Sequence, residues 1–185
     1  MAYRNGTYVA FHADGNNLPG GKSDIDYYRM LQAWSAHPDD EFTMVNSHEK
    51  ASAVRNSSLK ATLRAPLLTR LANSKNMLLI IGKTTSSDTD WVPFKIENAV
   101  NRYKIPIIAA YTIIEGPILN GMVGSGYWPY ALRKRIDDGT ANVIHIPFRK
   151  APIFSAISQF SHNVVPNGQG LGFYFAASYE AWGIK

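Results

Sequence analysis

The stretch TDWVPFKIENAV, residues 89–100, combines an aromatic residue with two opposite charges that could act on a small molecule. The sequence predicts that this stretch begins a helix, on which Lys95 and Glu97 point about 200° apart. They therefore cannot both face one pocket. Lys95 follows Trp91 by four residues and shares its face, so Lys95 faces inward if Trp91 does. A glutamate at position 97 is also what a charged, solvent-exposed helix face would carry, so Glu97 needs no functional explanation.

A polar loop, NSHEKASAVRNSS, supplies a second set of candidate residues directly after a predicted strand. In a sheet of parallel strands, Asn46, Ser47 and His48 would lie above the sheet edge, where side chains can hold a ribose or a phosphate. His48 could also carry a proton, although a single loop histidine is often simply solvated. His12 ends the first predicted strand, where a ligand contact and a hydrogen-bonded histidine near the core are equally consistent with the sequence.

Several known catalytic and cofactor-binding motifs are absent from the sequence. The loop GNNLPGGKSD imitates a phosphate-binding P-loop, but Asn16 stands where the motif needs its first glycine, and Gly15 is one residue too early. Neither the G-x-G-x-x-G dinucleotide fingerprint nor the G-x-S-x-G turn of serine hydrolases occurs. The five histidines lack metal-ligand spacing, the chain has no cysteine, and we assign His145, inside a predicted strand, to structure.

Apolar periodicity predicts alternating strands and helices, with strands at TYVAFH, EFTMVN, KNMLLIIG, IPIIAAY and NVIHIPF. The predicted helices begin near Asp24, Ser57 or Ser58, Asp88 or Asp90, Tyr130 and Pro152. Alternation of this kind predicts a five-stranded, doubly wound parallel sheet with helices on both faces. Ligands bind beyond the carboxyl ends of the strands in such α/β folds. The loops of interest therefore follow His12, Asn46, Ile81 and Tyr111.

Length and composition indicate one domain with a single sizeable core, because the chain has 185 residues of which 45% are hydrophobic. We expect residues 1–160 to form the domain and residues 161–185 to pack on it as an ordered extension, since that tail is rich in aromatic residues. The net charge of +5 is scattered, which predicts modest attraction for anions but not nucleic acid binding. No apolar run approaches the ~20 residues that span a membrane, so we expect a cytoplasmic protein.

Several segments together carry a family resemblance: YRNGTYVAFHADG, NSHEKASAVRNSS, NSKNMLLIIGKTT, DTDWVPFKI leading to IPIIAAY, and VIHIPF. They resemble the TIR-like proteins of the ThsB type, the sensor component of the bacterial Thoeris anti-phage defence. The resemblance implies a flavodoxin-like TIR fold, with NAD as the substrate and no resident cofactor. It also implies cleavage of the bond to nicotinamide, as in an NAD glycohydrolase or ADP-ribosyl cyclase, to form a cyclic ADP-ribose isomer. That product would signal to a partner effector, and TIR domains commonly act as homo-oligomers.

The resemblance also implies which residues line the substrate. On the nicotinamide and ribose side these are Phe11, His12, Asn46, Ser47 and His48. All of them follow the first or the second predicted strand, so the resemblance and the expected sheet edge indicate the same region of the chain.

Catalytic TIR domains carry a glutamate at the fifth position of a W-x-x-x-E pattern on the helix that Trp91 begins, and here that position is Lys95. The glutamate steadies positive charge that develops on the sugar, whereas a lysine would oppose it. Three explanations remain open: Glu97 substitutes through an irregular helix start at Pro93, another group such as His48 acts, or the chain is a non-catalytic relative. Glu97 and His48 are accordingly the predicted catalytic residues, while Trp91 and Lys95 are predicted to bind substrate.

Two functions therefore follow from the resemblance. The first is an NAD-consuming generator of a cyclic ADP-ribose-type signal, and the second is a non-catalytic TIR-like adaptor that works through protein contacts. A third reading, which rests on the expected fold alone, is a small nucleotide-binding or nucleic-acid-binding domain.

Overall fold

A parallel sheet of five strands forms the centre of a computed structural model that describes residues 4–12, 24–37, 42–45 and 57–185. The strands are β1 Gly6–Ala10, β2 Met44–Val45, β3 Ser74–Ile81, β4 Ile107–Tyr111 and β5 Val143–Pro147. Their spatial order is β2-β1-β3-β4-β5, and each neighbouring pair is parallel. This arrangement confirms the predicted five-stranded, doubly wound, flavodoxin-like sheet. The second strand is shorter than the predicted EFTMVN, since β2 pairs through two residues.

The described chain contains six α-helices: α1 Ile25–Ser35, α2 Ser57–Ala72, α3 Trp91–Glu97, α4 Tyr130–Asp137, α5 Lys150–Gln159 and α6 Ala176–Ala181. Leu78 and Ile80 of β3 pack with α1 and α5, whereas Leu79 and Ile81 pack with α2, α3 and α4. Successive side chains of a strand point to opposite faces, so a strand covered on both faces must be apolar throughout. The unbroken apolar run of β3 has this origin. No helix in the described part of the chain is long and apolar enough to span a membrane.

The helix that begins at Trp91 widens at its far end. α3 is followed directly by a π-helix, Asn98–Arg102, in which backbone hydrogen bonds span five residues. Pro93 is the third residue of α3 and lies in the first turn, where backbone N–H groups have no partner inside the helix. The π-helical irregularity therefore follows Glu97, whereas the sequence-based hypothesis needed an irregular start at Pro93.

Residues 161–185 pack against β5 and against the loop after β4. Gly172 forms an isolated parallel bridge with Ile144 of β5. Tyr179 of α6 is fully buried, and its hydroxyl donates to a backbone carbonyl of the loop after β4 at 3.3 Å. Phe175 is 78% exposed, so the aromatic residues of this segment divide between the core and the surface.

Candidate ligand site at the carboxyl edge

The carboxyl ends of β1 and β3 lie side by side near the centre of the sheet, between β2 on one side and β4 on the other. Doubly wound folds open a ligand crevice at such a switch point. His12 follows β1 and Thr84 follows β3, and the His12 Nδ1 and the Thr84 Oγ1 are 3.3 Å apart. Phe11 is buried and stacks on Tyr28 of α1, with ring centroids 4.7 Å apart. His12 thus offers polar atoms at the edge, while Phe11 belongs to the core beneath it.

A buried hydrogen-bond chain joins the end of β3 to the start of α1. The Gly82 N–H donates to Thr85 Oγ1 at 2.8 Å, and the Thr85 hydroxyl donates to Asp24 Oδ2 at 3.0 Å. A β-carbon at position 82 would overlap the Asp24 carboxylate, so this close approach requires glycine. Asp24 holds the N-cap position of α1, as predicted, but its carboxylate makes no capping bond and accepts from Thr85 instead.

Asp88 sets the start of α3. Its Oδ1 accepts hydrogen bonds from the backbone N–H groups of Asp90 and Trp91, both at 2.9 Å. Such N–H groups have no partner inside the helix, and a carboxylate also complements the positive end of the helix dipole. The side chain of Asp90 makes no capping bond and lies 3.6 Å from the guanidinium of Arg64. Of the two predicted helix starts, Asp88 therefore supplies the cap.

Lys95 is buried on α3, with 7% of its surface exposed. Side chains on a helix lean toward its N-terminus, and for Lys95 that direction leads toward Asp88 and the carboxyl edge. Burial lowers the pKa of Lys95 to about 8, and the negative charge of Asp88 opposes this change. Asp88 supplies the negative charge that acts on Lys95 among the described residues. A buried cation favours an anionic group beside it.

Glu97 points away from Lys95 toward α4. Its carboxylate lies 3.4 Å from the guanidinium of Arg135, and 53% of the Glu97 side chain is exposed. The buried Arg135 also donates to the backbone carbonyl of Ala131 at 2.9 Å and to Asn101 Oδ1 at 3.3 Å. Glu97 thus supplies part of the counter-charge for a buried arginine, and the structure does not bring it together with Lys95.

The family described as Thoeris protein ThsB, TIR-like domain, matches residues 8–113. That range is more than half of the chain and runs from within β1 to just beyond β4. The chain belongs to the ThsB TIR-like family. The match includes the whole switch point of this TIR-like domain, from His12 to Lys95, so the departure from the W-x-x-x-E pattern lies inside the family region.

The ThsB TIR-like domain places part of the predicted site near the carboxyl edge. His12 lies at this edge and Phe11 in the core beneath it, while Trp91 and Lys95 lie on α3, whose start Asp88 caps. Trp91 is half-buried and packs on the core that α2, α3 and α4 form with the sheet. Outside the described residues lie Asn46, Ser47 and His48. Their roles, like the catalytic role of Glu97, stay predictions.

Sequence reasoning missed Thr84, Thr85 and Asp24 as members of this edge. The available signal was the polar stretch GKTTSSDTD directly after the apolar run of β3, because polar residues in that position meet the ligand side of a doubly wound sheet. The sequence thus predicts that the loop after Ile81 meets the ligand. The sequence does not show which hydroxyl of this loop contacts Asp24, because that contact depends on how α1 packs against β3.

His145 belongs to a second buried polar chain in this TIR-like protein. The Trp128 Nε1–H donates to the Tyr111 hydroxyl oxygen at 2.6 Å, and that oxygen lies 2.7 Å from His145 Nδ1. His145 Nε2 donates to Gly170 O at 2.9 Å, since a carbonyl only accepts, and Nδ1 then accepts from Tyr111. Burial lowers the pKa of His145 to about 4, so the ring is neutral at pH 7. These hydrogen bonds connect β4 and β5 to residues 161–185.

Proposed function

We propose that this chain is a cytoplasmic Thoeris defence protein that binds NAD at the carboxyl edge of its sheet and signals by protein contact without cleaving the ligand. One observation carries the proposal. A buried lysine, Lys95, occupies the position where catalytic TIR domains place glutamate, while the nearby Glu97 pairs with Arg135 on another side of the helix.

The charge of Lys95 supports binding of a dinucleotide. The pKa of about 8 leaves most of the amine protonated at pH 7. NAD carries a pyrophosphate, and an anion of this kind would offset the cost of burying the ammonium. The His12 ring and the Thr84 hydroxyl, 3.3 Å apart, lie at the same edge and can exchange hydrogen bonds with ribose hydroxyls.

The same charge opposes cleavage. When nicotinamide leaves NAD, positive charge develops on the ribose, and an enzyme accelerates this step by placing negative charge beside it. A protonated lysine near the ribose carbon that loses nicotinamide would raise the barrier to cleavage, because like charges repel most strongly where water is excluded. The site therefore supports ground-state binding better than turnover.

Calorimetric titration of NAD into the protein tests the proposal, together with an assay for released nicotinamide. We expect saturable binding, no release, and loss of binding in Lys95→Met. The matched control is Lys134→Met, because Lys134 is an exposed lysine of α4 that pairs with Asp138 at 2.9 Å. Binding that survives Lys95→Met would refute the role of Lys95, and steady nicotinamide release by the unaltered protein would refute the absence of cleavage.

A second candidate is the NAD-consuming generator of a cyclic ADP-ribose-type signal for a partner effector, with Glu97 and His48 as the predicted catalytic residues. The position of Asp88 favours it, because this carboxylate lies at the carboxyl edge within the electrostatic range of Lys95. Asp88→Asn keeps an oxygen that can cap α3 and removes the charge. If Asp88→Asn or Glu97→Gln abolishes product while the fold persists, this second candidate replaces the first.

Self-association of the active form is part of both candidates. Light scattering of the purified protein with and without NAD measures it. A chain that stays monomeric at saturating NAD would contradict this part of the proposal.

A further inference from the structure

A cavity of about 390 Å³ opens at the carboxyl ends of β4 and β5, on the sheet face that α1 and α5 cover. Its wall includes Tyr27, Trp34, Thr112, Phe148, Arg149 and Lys150. Small-molecule sites in proteins typically measure about 300–1,000 Å³ and combine apolar walls with a few polar groups. The volume of the cavity falls in this range, and its lining combines aromatic rings with charged groups.

One wall of the cavity is aromatic. Tyr27 and Trp34 are seven residues apart on α1 and therefore share a face of the helix. Phe148 lies between them, with its ring centroid 4.9 Å from that of Tyr27 and 5.7 Å from that of Trp34. Tyr27 and Trp34 are only partly buried and line the cavity, so part of each ring can meet a ligand. A planar ring system is the group that such a wall binds best.

A second wall carries charge. Arg149 and Lys150 are exposed cations at the start of α5, and the positive end of that helix dipole adds to their field. A neighbouring cavity of about 330 Å³ shares Arg149, Lys150 and Glu115 with the first. Arg149 can bind a phosphate through two parallel hydrogen bonds, and the Glu115 carboxylate can accept from sugar hydroxyls or a ring amino group.

The two walls define one ligand chemistry, because a flat ring, a sugar and a phosphate follow one another in a nucleotide. We propose that these adjoining cavities form a second binding site, which takes a nucleoside diphosphate with its ring against Tyr27 and Trp34 and its phosphates at Arg149. The site is separate from Lys95, which lies on the other face of the sheet, and its existence does not depend on NAD binding there.

Indole N–H signals in nuclear magnetic resonance spectra locate the ligand, since the chain has only four tryptophans. Trp34 lines the first cavity and Trp182 lines the second, whereas Trp91 packs on the opposite face of the sheet. We expect titrated ADP to shift the Trp34 and Trp182 signals in a saturable way and to leave Trp91 unchanged. Single Trp→Phe variants assign the signals. A shift of Trp91 alone would place the nucleotide at the switch point and overturn the proposal.

Variants and smaller probes test the roles of the two walls. We expect Arg149→Gln to weaken ADP binding about tenfold, as for loss of a charged hydrogen bond, and Lys134→Gln, an equal loss of surface charge, to leave it unchanged. Adenosine and inorganic phosphate should each bind at least about tenfold more weakly than ADP, because each fills one wall only. Phosphate that binds as tightly as ADP, or equal effects of the two variants, would show a general attraction for anions and would refute the site. Arg149 is exposed, so its replacement leaves the core intact.

Discussion

Replacement of Lys95 by methionine should stabilise the protein, by an amount that depends on pH. Methionine matches the length of the lysine side chain and removes the charge, so little packing is lost. Lys95 has an ordinary pKa of 10.5 that burial lowers to about 8 in the folded protein. Each pKa unit corresponds to about 1.4 kcal/mol, so the buried charge costs about 3 kcal/mol at pH 7.

The cost should disappear as the pH rises. Below pH 8 both the folded and the unfolded protein hold the Lys95 proton, and the folded protein bears the full penalty. Between about pH 8 and pH 10.5 the folded protein releases this proton while the unfolded chain keeps it, so the unaltered protein gains stability with rising pH. The advantage of Lys95→Met should therefore shrink from about 3 kcal/mol at pH 7 to about 1 kcal/mol at pH 10.

Urea unfolding at pH 7, 8, 9 and 10 measures this difference for the unaltered protein and the variant. The comparison cancels the contribution of the buried tyrosines Tyr8 and Tyr111, whose pKa values burial raises in both proteins. Lys134→Met, at an exposed position, should show no comparable trend over this range. An advantage of Lys95→Met that is absent at pH 7, or equal at pH 7 and pH 10, would refute the view of Lys95 as a buried cation.

Three further predictions concern the core, a loop and the helix pair. Burial lowers the pKa of His145 to about 4, so the unfolded chain binds a proton at this residue between pH 6.5 and pH 4 while the folded protein does not. The unaltered protein should therefore lose about 3 kcal/mol of unfolding free energy over this range. Urea unfolding at several pH values should not find this loss in His145→Gln. Gly124→Ala should destabilise by about 2 kcal/mol or more, because its β-carbon would overlap the Tyr111 ring. Gly126→Ala, which meets open space, should unfold like the unaltered protein, and equal thermal stability of the two variants would contradict this packing. Glu97→Gln should change the free energy of unfolding by less than about 1 kcal/mol, since a half-exposed ion pair contributes little. It should also leave NAD binding, measured by calorimetry, intact. Loss of NAD binding in this variant would place Glu97 in the site.

Local pattern was enough to predict the layers of the fold. The unbroken apolar run of β3 follows from burial on both faces. On α1 the apolar residues Ile25, Tyr28 and Leu31 recur near the helical period and are buried, whereas Trp34 is partly buried and Ala33 is exposed. Helical geometry also predicted that Lys95 and Glu97 diverge, because a rotation of about 100° per residue does not depend on the surroundings.

Contacts between distant segments could not be predicted. Asp24 is an ordinary capping residue by type, and its bond to Thr85 exists because α1 and β3 meet at the switch point. The pairing of Glu97 with Arg135 requires α3 and α4 to be neighbours, and the bond from His145 to Gly170 requires the tail to return to β5. Periodicity describes which face of an element is apolar, but not which partner that face meets.

Mass spectrometry of small molecules from phage-infected cells that carry this protein tests the central claim most directly. The set includes the unaltered protein, Glu97→Gln and Asp88→Asn, with NAD and ADP-ribose species measured over the course of infection. If this ThsB TIR-like protein binds NAD without cleaving it, cells with any of these three proteins should contain no cyclic ADP-ribose species. A cyclised species from the unaltered protein that disappears in Glu97→Gln or Asp88→Asn would contradict the account and identify that carboxylate as catalytic.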